Sequence, residues 1–301
     1  MRTILKNLLP FTQYPYRGAI VKCPVCASEE FEPVSSLDRS MKLLPTVMCT
    51  RCGLLYTNPM PDEDELSHFY EKYYRLVYQR AVSKPTEKHR RNALAEAGWR
   101  GGNLEGVLHA GAKTLDFGCG SGEFVELMAA KGFDAHGFEP GVSYGSDAKA
   151  RLGDRITISR WQNMKLEPEY DLVTSFHVIE HLGDPLKAIA AMASWIRPNG
   201  KIYIEVPDMG SAPIKGIGGF HFAHVVGFNH YNLRLAAANV GLVLSREFAP
   251  TRLLFERGET DGPEGLASKG VRLARQKHLE TSALQSYFYY QLSKLRRKIG
   301  R

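Results

Sequence analysis

Four cysteines near the start of the sequence are spaced as metal ligands. They form two Cys-x-x-Cys pairs, Cys23 with Cys26 and Cys49 with Cys52, and 22 residues separate the pairs. Paired zinc sites commonly have about 15 to 20 residues in that interval. Four thiolates complete a tetrahedral shell with no open position, so the pattern predicts a structural Zn²⁺ site. The alternative, two reduced pairs packed as small apolar side chains, leaves this segment with little core.

A glycine-rich turn with the sequence LDFGCGSG, residues 115–122, lies between a predicted strand and a predicted helix. Glycines let backbone amides approach a ligand closely, and the helix N-terminus adds partial positive charge. Glu139 ends the next predicted strand, where its carboxylate can accept both hydroxyls of a ribose. The turn alone does not identify the ligand, because enzymes that bind nicotinamide dinucleotides use related turns.

Two later segments, SFHVIEHLGD and GFHFAHVVGFNHYN, hold side chains that can accept a proton: His177, Glu180, His181, His221, His224 and His230. Imidazole titrates near neutral pH, which suits a general base. We expect His177, His181 and His224 to lie at a catalytic site. For His224 a histidine that orients a loop is the alternative, and for His221 and His230 a structural role is favoured.

The elements that position these residues follow an alternating pattern after Ala112. The predicted strands are KTLDFG, DAHGFEP, ITISRW, YDLVTSFHVI and KIYIEVP, and the predicted helices are SGEFVELMAAKG, VSYGSDAKARLG and PLKAIAAMASWI. This order predicts an α/β fold, Rossmann-like and doubly wound, with a mostly parallel sheet. Leu242–Phe248 and Leu253–Arg257 are expected to form an antiparallel hairpin that closes the sheet.

Changes of pattern divide the chain into four predicted regions: a zinc-binding leader at 1–60, a helical connection at 61–111, the α/β domain at 112–258 and a basic C-terminal helix at 259–301. Acidic residues after Pro61 mark the start of the connecting helix. Its aromatic residues are Phe69, Tyr70, Tyr73, Tyr74 and Tyr78. They either cover an acceptor pocket or pack the leader against the next domain.

Composition excludes several classes of protein. The chain has 301 residues, 44% of them hydrophobic, and no apolar run of the about 18 residues that a membrane span needs. Five cysteines, four of them in metal-type pairs, indicate a reducing compartment, so we expect a cytoplasmic protein. The sequence does not predict the oligomeric state.

The net charge of +7 is concentrated near the C-terminus. A basic terminal helix packs on the protein's own body, or it contacts a membrane surface or another subunit. A protein that binds nucleic acid or modifies RNA is an alternative function. The leader disfavours it, because the segment between Cys26 and Cys49 has four acidic residues and only two basic ones.

The motifs DFGCGSG, GFEP, YDLVTSFHVIEHLGDP and RPNGKIYIEVPD occur in this order and resemble those of class I S-adenosylmethionine-dependent methyltransferases. The resemblance covers residues 112–257. The leader, from CPVC to CTRCGLLYTNPMPDEDELSHFYEKYY, resembles the zinc-binding leader of a bacterial subset of these enzymes. That subset commonly methylates sugars, so the resemblance implies a nucleotide sugar or a surface glycan as acceptor.

The same resemblance implies roles for individual residues. The turn residues Asp116, Gly118, Cys119, Gly120 and Gly122 would line the methionine and ribose part of S-adenosylmethionine. Glu139 would hold the ribose hydroxyls, Gln162 or Asn163 would lie at the adenine, and His177 would face the methyl group. The alternatives are a nicotinamide site and a cofactor-binding regulatory protein without catalysis.

Sugar C-methyltransferases with this leader resemble the chain at His224, Phe228 and Asn229. They have a Tyr where this chain has His221 and a Glu where it has Ala223. The departure disfavours C-methylation and leaves O-methylation, with His224 or His181 as the base, as the expected reaction.

Overall fold

The computed structural model describes residues 10–70, 87–210, 216–259 and 262–279. In chain order the strands are β1 (Phe31–Leu37), β2 (Leu43–Cys49), β3 (Leu55–Thr57), β4 (Lys113–Phe117), β5 (Asp134–Glu139), β6 (Ile156–Ile158), β7 (Tyr170–Phe176), β8 (Ile196–Glu205), β9 (Val226–Gly227), β10 (Leu242–Ala249) and β11 (Arg252–Arg257). The helices are α1 (Glu63–Phe69), α2 (Glu87–Asn103), α3 (Glu123–Ala130), α4 (Val142–Leu152), α5 (Pro185–Trp195), α6 (His230–Ala238) and α7 (Pro263–Ala274).

Seven strands form the larger sheet, in the order β10-β11-β8-β7-β4-β5-β6. The five strands from β8 to β6 pair in parallel, and β11 pairs antiparallel with both β8 and β10. The predicted Rossmann-like sheet and its closing hairpin are therefore confirmed. Because parallel strands end at one edge, the sheet brings the glycine turn after β4, Glu139, His177 and Glu205 to that edge.

Both faces of this sheet are covered, as a doubly wound fold requires. Neighbouring residues of one strand enter different core clusters: Val173 packs with α5 and α6, whereas Leu172 packs with α2, α3 and α4. The predicted turn RPNG interrupts β8. Ile196 pairs with Tyr170 and Lys201 pairs with Leu172, so residues 197–200 bulge out between the two pairs.

The leader forms a separate antiparallel sheet of four strands, in the order β1-β2-β3-β9. Its fourth strand comes from the α/β domain, since Tyr56 pairs with Val226 and Leu55 with Gly227. An aromatic cluster strengthens the junction: the Phe222 ring lies 4.7 Å from that of Tyr14 and 4.6 Å from that of Phe69, centroid to centroid. The leader and the α/β domain therefore share one hydrophobic core.

Helix α1 begins where the acidic residues predict it. Asp62 accepts a hydrogen bond from the Glu65 backbone amide at 2.8 Å, and the Glu65 carboxylate accepts one from the Asp62 amide at 3.0 Å, which completes a capping box. Glu65 also accepts a hydrogen bond from the Arg17 amide, and so ties the leader to α1. Tyr73, Tyr74 and Tyr78 lie outside the described residues.

After α7 a short π-helical turn covers Arg275–Leu279. The rest of the predicted C-terminal helix lies outside the described residues. Among the helices that the structure describes, none combines the length and the apolar character that crossing a membrane requires.

Candidate active site

The glycine turn has the backbone conformation that its residues require. Gly118, Gly120 and Gly122 have φ of +74°, +55° and +81°, a left-handed region that glycine adopts at low cost. A Cβ atom at Gly118 would lie 2.7 Å from Cγ2 of Val178, whereas one at Gly120 would meet no atom within 4 Å. Gly118 is therefore needed for packing, and Gly120 borders open space above the sheet.

Glu139 lies directly beside this turn. Its carboxylate accepts hydrogen bonds from the Gly120 amide at 3.1 Å and from the Gly141 amide at 2.7 Å. The side chain thus joins the turn to the start of α4. Its contact with a ribose stays a prediction.

Asp116 and Cys119 are buried within the turn. Burial raises the pKa of Asp116 to about 6, against the opposing effect of a 2.7 Å hydrogen bond from the Thr174 hydroxyl. Burial also raises the pKa of the Cys119 thiol, so this residue stays a neutral thiol. The Cys119 amide donates to the Phe138 carbonyl at 2.9 Å, which fixes the turn on the neighbouring strand β5.

His177 follows β7 with φ of +55° and lies between two carboxylates. Its Nε2 is 3.1 Å from Glu205 Oε1, and its Nδ1 is 3.5 Å from Glu180 Oε1. Burial lowers the pKa of His177, but the two carboxylates outweigh this effect and raise it to about 9. The protonated imidazolium is therefore favoured at neutral pH.

Arg100 and Glu205 complete this network. The guanidinium of Arg100, on α2, makes two hydrogen bonds of 3.1 Å to the Glu205 carboxylate. Burial alone raises the pKa of Glu205, but His177 and Arg100 outweigh it and lower the pKa to about 2. Sequence reasoning missed both residues. Glu205 could have been noticed because it ends a predicted strand at the ligand-binding edge, whereas no pattern marks Arg100.

A second cluster lies next to His177 and consists of Glu180, His181 and His224. The Glu180 side chain is buried, and its Oε1 is 3.8 Å from Nε2 of His181 and 3.9 Å from Nε2 of His224. Within the described residues, neither carboxylate oxygen of Glu180 accepts a hydrogen bond. Burial lowers the pKa of His224 well below its usual value, which keeps this imidazole neutral.

The cluster borders a small cleft of about 20 Å³ between the leader and the α/β domain. Leu44, Thr46 and Thr57 of the leader line it, together with Glu180 and His224. His181 is held in place by other contacts, since its Nδ1 lies 2.6 Å from the Ala223 carbonyl oxygen and 2.5 Å from the Tyr70 hydroxyl. The leader therefore supplies part of the wall around the candidate catalytic groups.

The remaining predicted site residues lie further out. Asn163 is exposed on a turn after β6, and the neighbouring Gln162 donates to the Glu63 carboxylate at 2.7 Å. His230 lies 2.6 Å from the Pro250 carbonyl oxygen, in keeping with a structural role. The His221 ring lies against that of His224, with centroids 3.8 Å apart and the ring planes tilted by 48°. The adenine contact of Asn163 stays a prediction.

The four leader cysteines form a compact cluster. Sγ of Cys23 is 3.6 Å from that of Cys52, Sγ of Cys26 is 3.5 Å from that of Cys49, and all four lie within 4.8 Å of one another. A tetrahedral zinc shell with bonds of about 2.3 Å places its sulfur atoms about 3.8 Å apart. The cluster fits such a shell without rearrangement of the backbone.

Comparison with known proteins shows to which family this chain belongs. A family model described as "Methyltransferase domain" matches residues 64–244. The ubiquinone biosynthesis O-methyltransferase of Photobacterium profundum is 35% identical over 103 residues, which are 32% of this chain and 43% of that protein. The enzyme of the same name from Pectobacterium atrosepticum is 30% identical over 154 residues, 49% of this chain and 62% of that protein. The chain thus spans about half the length of these curated relatives.

Among solved structures, the 1,6-didemethyltoxoflavin-N1-methyltransferase of Burkholderia thailandensis superposes with a TM-score of 0.51 at 14% identity, covering 69% of this chain and 96% of that one. This likeness shows a shared fold. The family match, which spans more than half of the 301 residues, excludes the nicotinamide alternative. The chain belongs to the methyltransferase domain family.

Proposed function

We propose that this methyltransferase acts on a hydroxyl of a carbohydrate-type acceptor, either a nucleotide-linked sugar or a unit of a surface glycan. The observation that carries the proposal is the position of Glu180 and His224 on a small cleft that Thr46 and Thr57 of the leader also line. A hydroxyl acceptor must lose its proton during methylation, whereas a carboxylate acceptor does not. The imidazole of His224 beside this cleft, kept neutral by burial, therefore supports O-methylation of an alcohol.

The reaction is an in-line displacement. The acceptor oxygen forms a bond to the methyl carbon while the carbon–sulfur bond breaks, and sulfur keeps that electron pair, which yields S-adenosylhomocysteine. The hydroxyl loses its proton beside the cluster of Glu180, His181 and His224, which favours its ionisation. His177 is less suited to this task because Glu180 and Glu205 stabilise its protonated form. The fold mainly aligns donor and acceptor and excludes water.

We assign the cofactor to the edge of the sheet at the glycine turn. In this assignment Gly118, Gly120 and Gly122 lie along the methionine and ribose, and the Glu139 carboxylate leaves the Gly120 amide to accept the ribose hydroxyls. The open space at Gly120 supports it, since a side chain there would occupy the volume that the cofactor needs. Asn163 is assigned to the adenine end.

Two observations favour oxygen over carbon as the methylated atom. His221 and Ala223 occupy the positions where sugar C-methyltransferases with this leader have Tyr and Glu. The curated relatives are named O-methyltransferases, which supports the same reaction here.

We propose that Cys23, Cys26, Cys49 and Cys52 bind a structural Zn²⁺. Four thiolates fill the tetrahedral shell, so the ion has no open position for substrate. Its role is to hold the strands β2 and β3 that line the cleft.

The test is a two-stage measurement on the full chain. Calorimetric titration with S-adenosylmethionine is expected to show binding, and titration with NAD is expected to show none. The protein is then incubated with nucleotide sugars, with surface glycans and, as a control, with RNA. Mass spectrometry and NMR are expected to detect a methyl ether on a sugar; methylated RNA, or a new carbon–carbon bond on a sugar, would contradict the proposal.

A further inference from the structure

The Glu180 carboxylate lies in an environment that does not satisfy it. The residue is 1% exposed, and within the described ranges neither of its oxygens has a hydrogen-bond donor. A buried carboxylate without partners is costly, and protonation would leave a buried hydroxyl equally unpartnered. His177 approaches Oε1 to only 3.5 Å, and its other nitrogen is engaged by Glu205. His177 thus places one positive charge near Oε1, while both oxygens of Glu180 keep lone pairs that a cation could use.

The position of the hydrogen on the His181 ring indicates which kind of group can bind beside Glu180. Nδ1 of His181 is 2.6 Å from the Ala223 carbonyl oxygen, so Nδ1 must carry the hydrogen and donate it. The Tyr70 hydroxyl donates to the same carbonyl at 3.0 Å. Nε2 of a neutral His181 therefore presents its lone pair toward Oε1 of Glu180, at 3.8 Å. Metal-binding histidines have this arrangement, in which the other ring nitrogen donates to a backbone carbonyl.

His224 adds a third donor atom, since its Nε2 lies 3.9 Å from the same oxygen of Glu180. The three ligand atoms all lie within 4.8 Å of one another. Bonds of about 2.0 to 2.2 Å to a common ion would bring them to about 3 to 3.5 Å apart, which requires each side chain to move by less than about 1 Å. Two imidazoles and one carboxylate form a ligand set that leaves coordination positions open.

We propose that Glu180, His181 and His224 bind a divalent first-row metal ion, a second metal site besides the four cysteines, and that its open positions take the acceptor's hydroxyl oxygen. The part that concerns the acceptor rests on the function proposed above. Glu180 and His224 line a small cleft together with Thr46 and Thr57, and this cleft lies next to the proposed ion.

Such an ion would promote the loss of the proton from the acceptor hydroxyl. A bound cation lowers the pKa of a ligated hydroxyl, as it does for bound water. The hydroxyl proton then passes to water, and the metal-held oxygen attacks the methyl carbon while the sulfur keeps the electrons of the broken bond. In the loaded site His181 and His224 activate the hydroxyl through the ion rather than by taking its proton.

The test uses the full chain with its cysteine site loaded with zinc. Mn²⁺ binding is followed by electron paramagnetic resonance, and additional Zn²⁺ binding by equilibrium dialysis with metal analysis. One further ion per chain is expected in the wild type and in the control His136→Gln, which changes a surface histidine paired with Asp134. Glu180→Gln and His181→Gln are expected to bind it at least about 10-fold more weakly, with the cysteine-bound zinc unchanged.

Absence of both Mn²⁺ and additional Zn²⁺ from the wild type, or equal binding by the two cluster variants, would overturn the metal site. The acceptor role has a separate readout. If sugar methylation proceeds at the same rate in Glu180→Gln and after removal of the second ion, the ion does not activate the acceptor, although the proposed function stands. If the ion binds but no sugar is methylated, the metal site stands and the proposed function fails.

Discussion

At the scale of single residues, Glu139 is the best test of the cofactor assignment. Its carboxylate is held by two backbone amides at the glycine turn and is therefore already placed for a ligand. We expect Glu139→Ala to weaken S-adenosylmethionine binding by about 1 to 3 kcal/mol, because charged hydrogen bonds to the ribose are lost. Calorimetry measures the change. Glu169→Ala, which removes a partly exposed carboxylate paired with Lys113, is the control and should leave the affinity unchanged; equal affinities of all three proteins would refute the ribose contact.

Asp116 makes stability depend on pH. Its pKa in the fold is about 6, above the 3.8 of a free aspartate, because burial disfavours the carboxylate. The folded protein therefore holds this proton more tightly than the unfolded chain, and ionisation lowers the free energy of unfolding as pH rises from about 4 to about 6.

Asp116→Asn removes this ionisation. We expect the free energy of unfolding of the variant, relative to that of the wild type, to rise by up to about 3 kcal/mol between pH 4 and pH 7, on the order set by the pKa difference. Urea denaturation at several pH values in this range measures it. A difference between the two proteins that does not change with pH would show that Asp116 ionises normally in the fold.

At the scale of elements, we expect two glycines of the turn to have different roles: Gly118 in packing and Gly120 in cofactor binding. We expect Gly120→Ala to cost about 1 to 2 kcal/mol of stability from its positive φ. Gly118→Ala should cost more, because its methyl group must also displace Val178. Thermal denaturation compares the two, and calorimetry follows the cofactor.

Cofactor binding should separate the two variants in the opposite order: Gly118→Ala loses more stability, whereas Gly120→Ala loses more affinity for the cofactor. The new methyl group of Gly120→Ala points into open space that we assign to the cofactor, so its affinity should fall although the fold is largely kept. If Gly120→Ala binds S-adenosylmethionine as the wild type does, the cofactor does not lie against this turn.

Sequence patterns were sufficient to predict the helices and strands whose hydrophobic periodicity lies within one short segment of the chain. The strands β4 to β8, β10 and β11 and the helices α3, α4 and α5 lie where alternation and glycine ends predict them. The missed features depend on residues far apart in the chain. Strand β9 has only two residues, too few to show a pattern, and Arg100 meets Glu205 across 105 positions. Only the folded sheet brings such groups together.

At the scale of the whole molecule, the leader is integrated with the α/β domain. Strand β9 extends the leader sheet, and the Asn239 side chain donates to the Val25 carbonyl at 2.6 Å. Gly53, at the second cysteine pair, packs so closely on α7 that a Cβ atom there would lie 2.4 Å from the Gly270 carbonyl oxygen. The segment that carries His224 runs between Phe222 in the shared core and β9 in the leader sheet. Loss of the leader fold should therefore disturb the acceptor side of the site, while the glycine turn rests on β4 and β5.

Loss of the zinc site that we propose at the four cysteines tests this coupling. In the Cys49→Ser variant we expect hydrogen exchange to accelerate both in the leader and in residues 220–229, while β4 and β5 stay protected, because they belong to the larger sheet. Methyl transfer should fall much more than the affinity for S-adenosylmethionine. The matched comparison is wild-type protein that is chelated and then reloaded with Zn²⁺, which should regain slow exchange in both segments. Faster exchange confined to residues 10–57 would show that the leader folds independently, and that strand β9 and the aromatic contacts of Phe222 do not couple its stability to the histidine cluster.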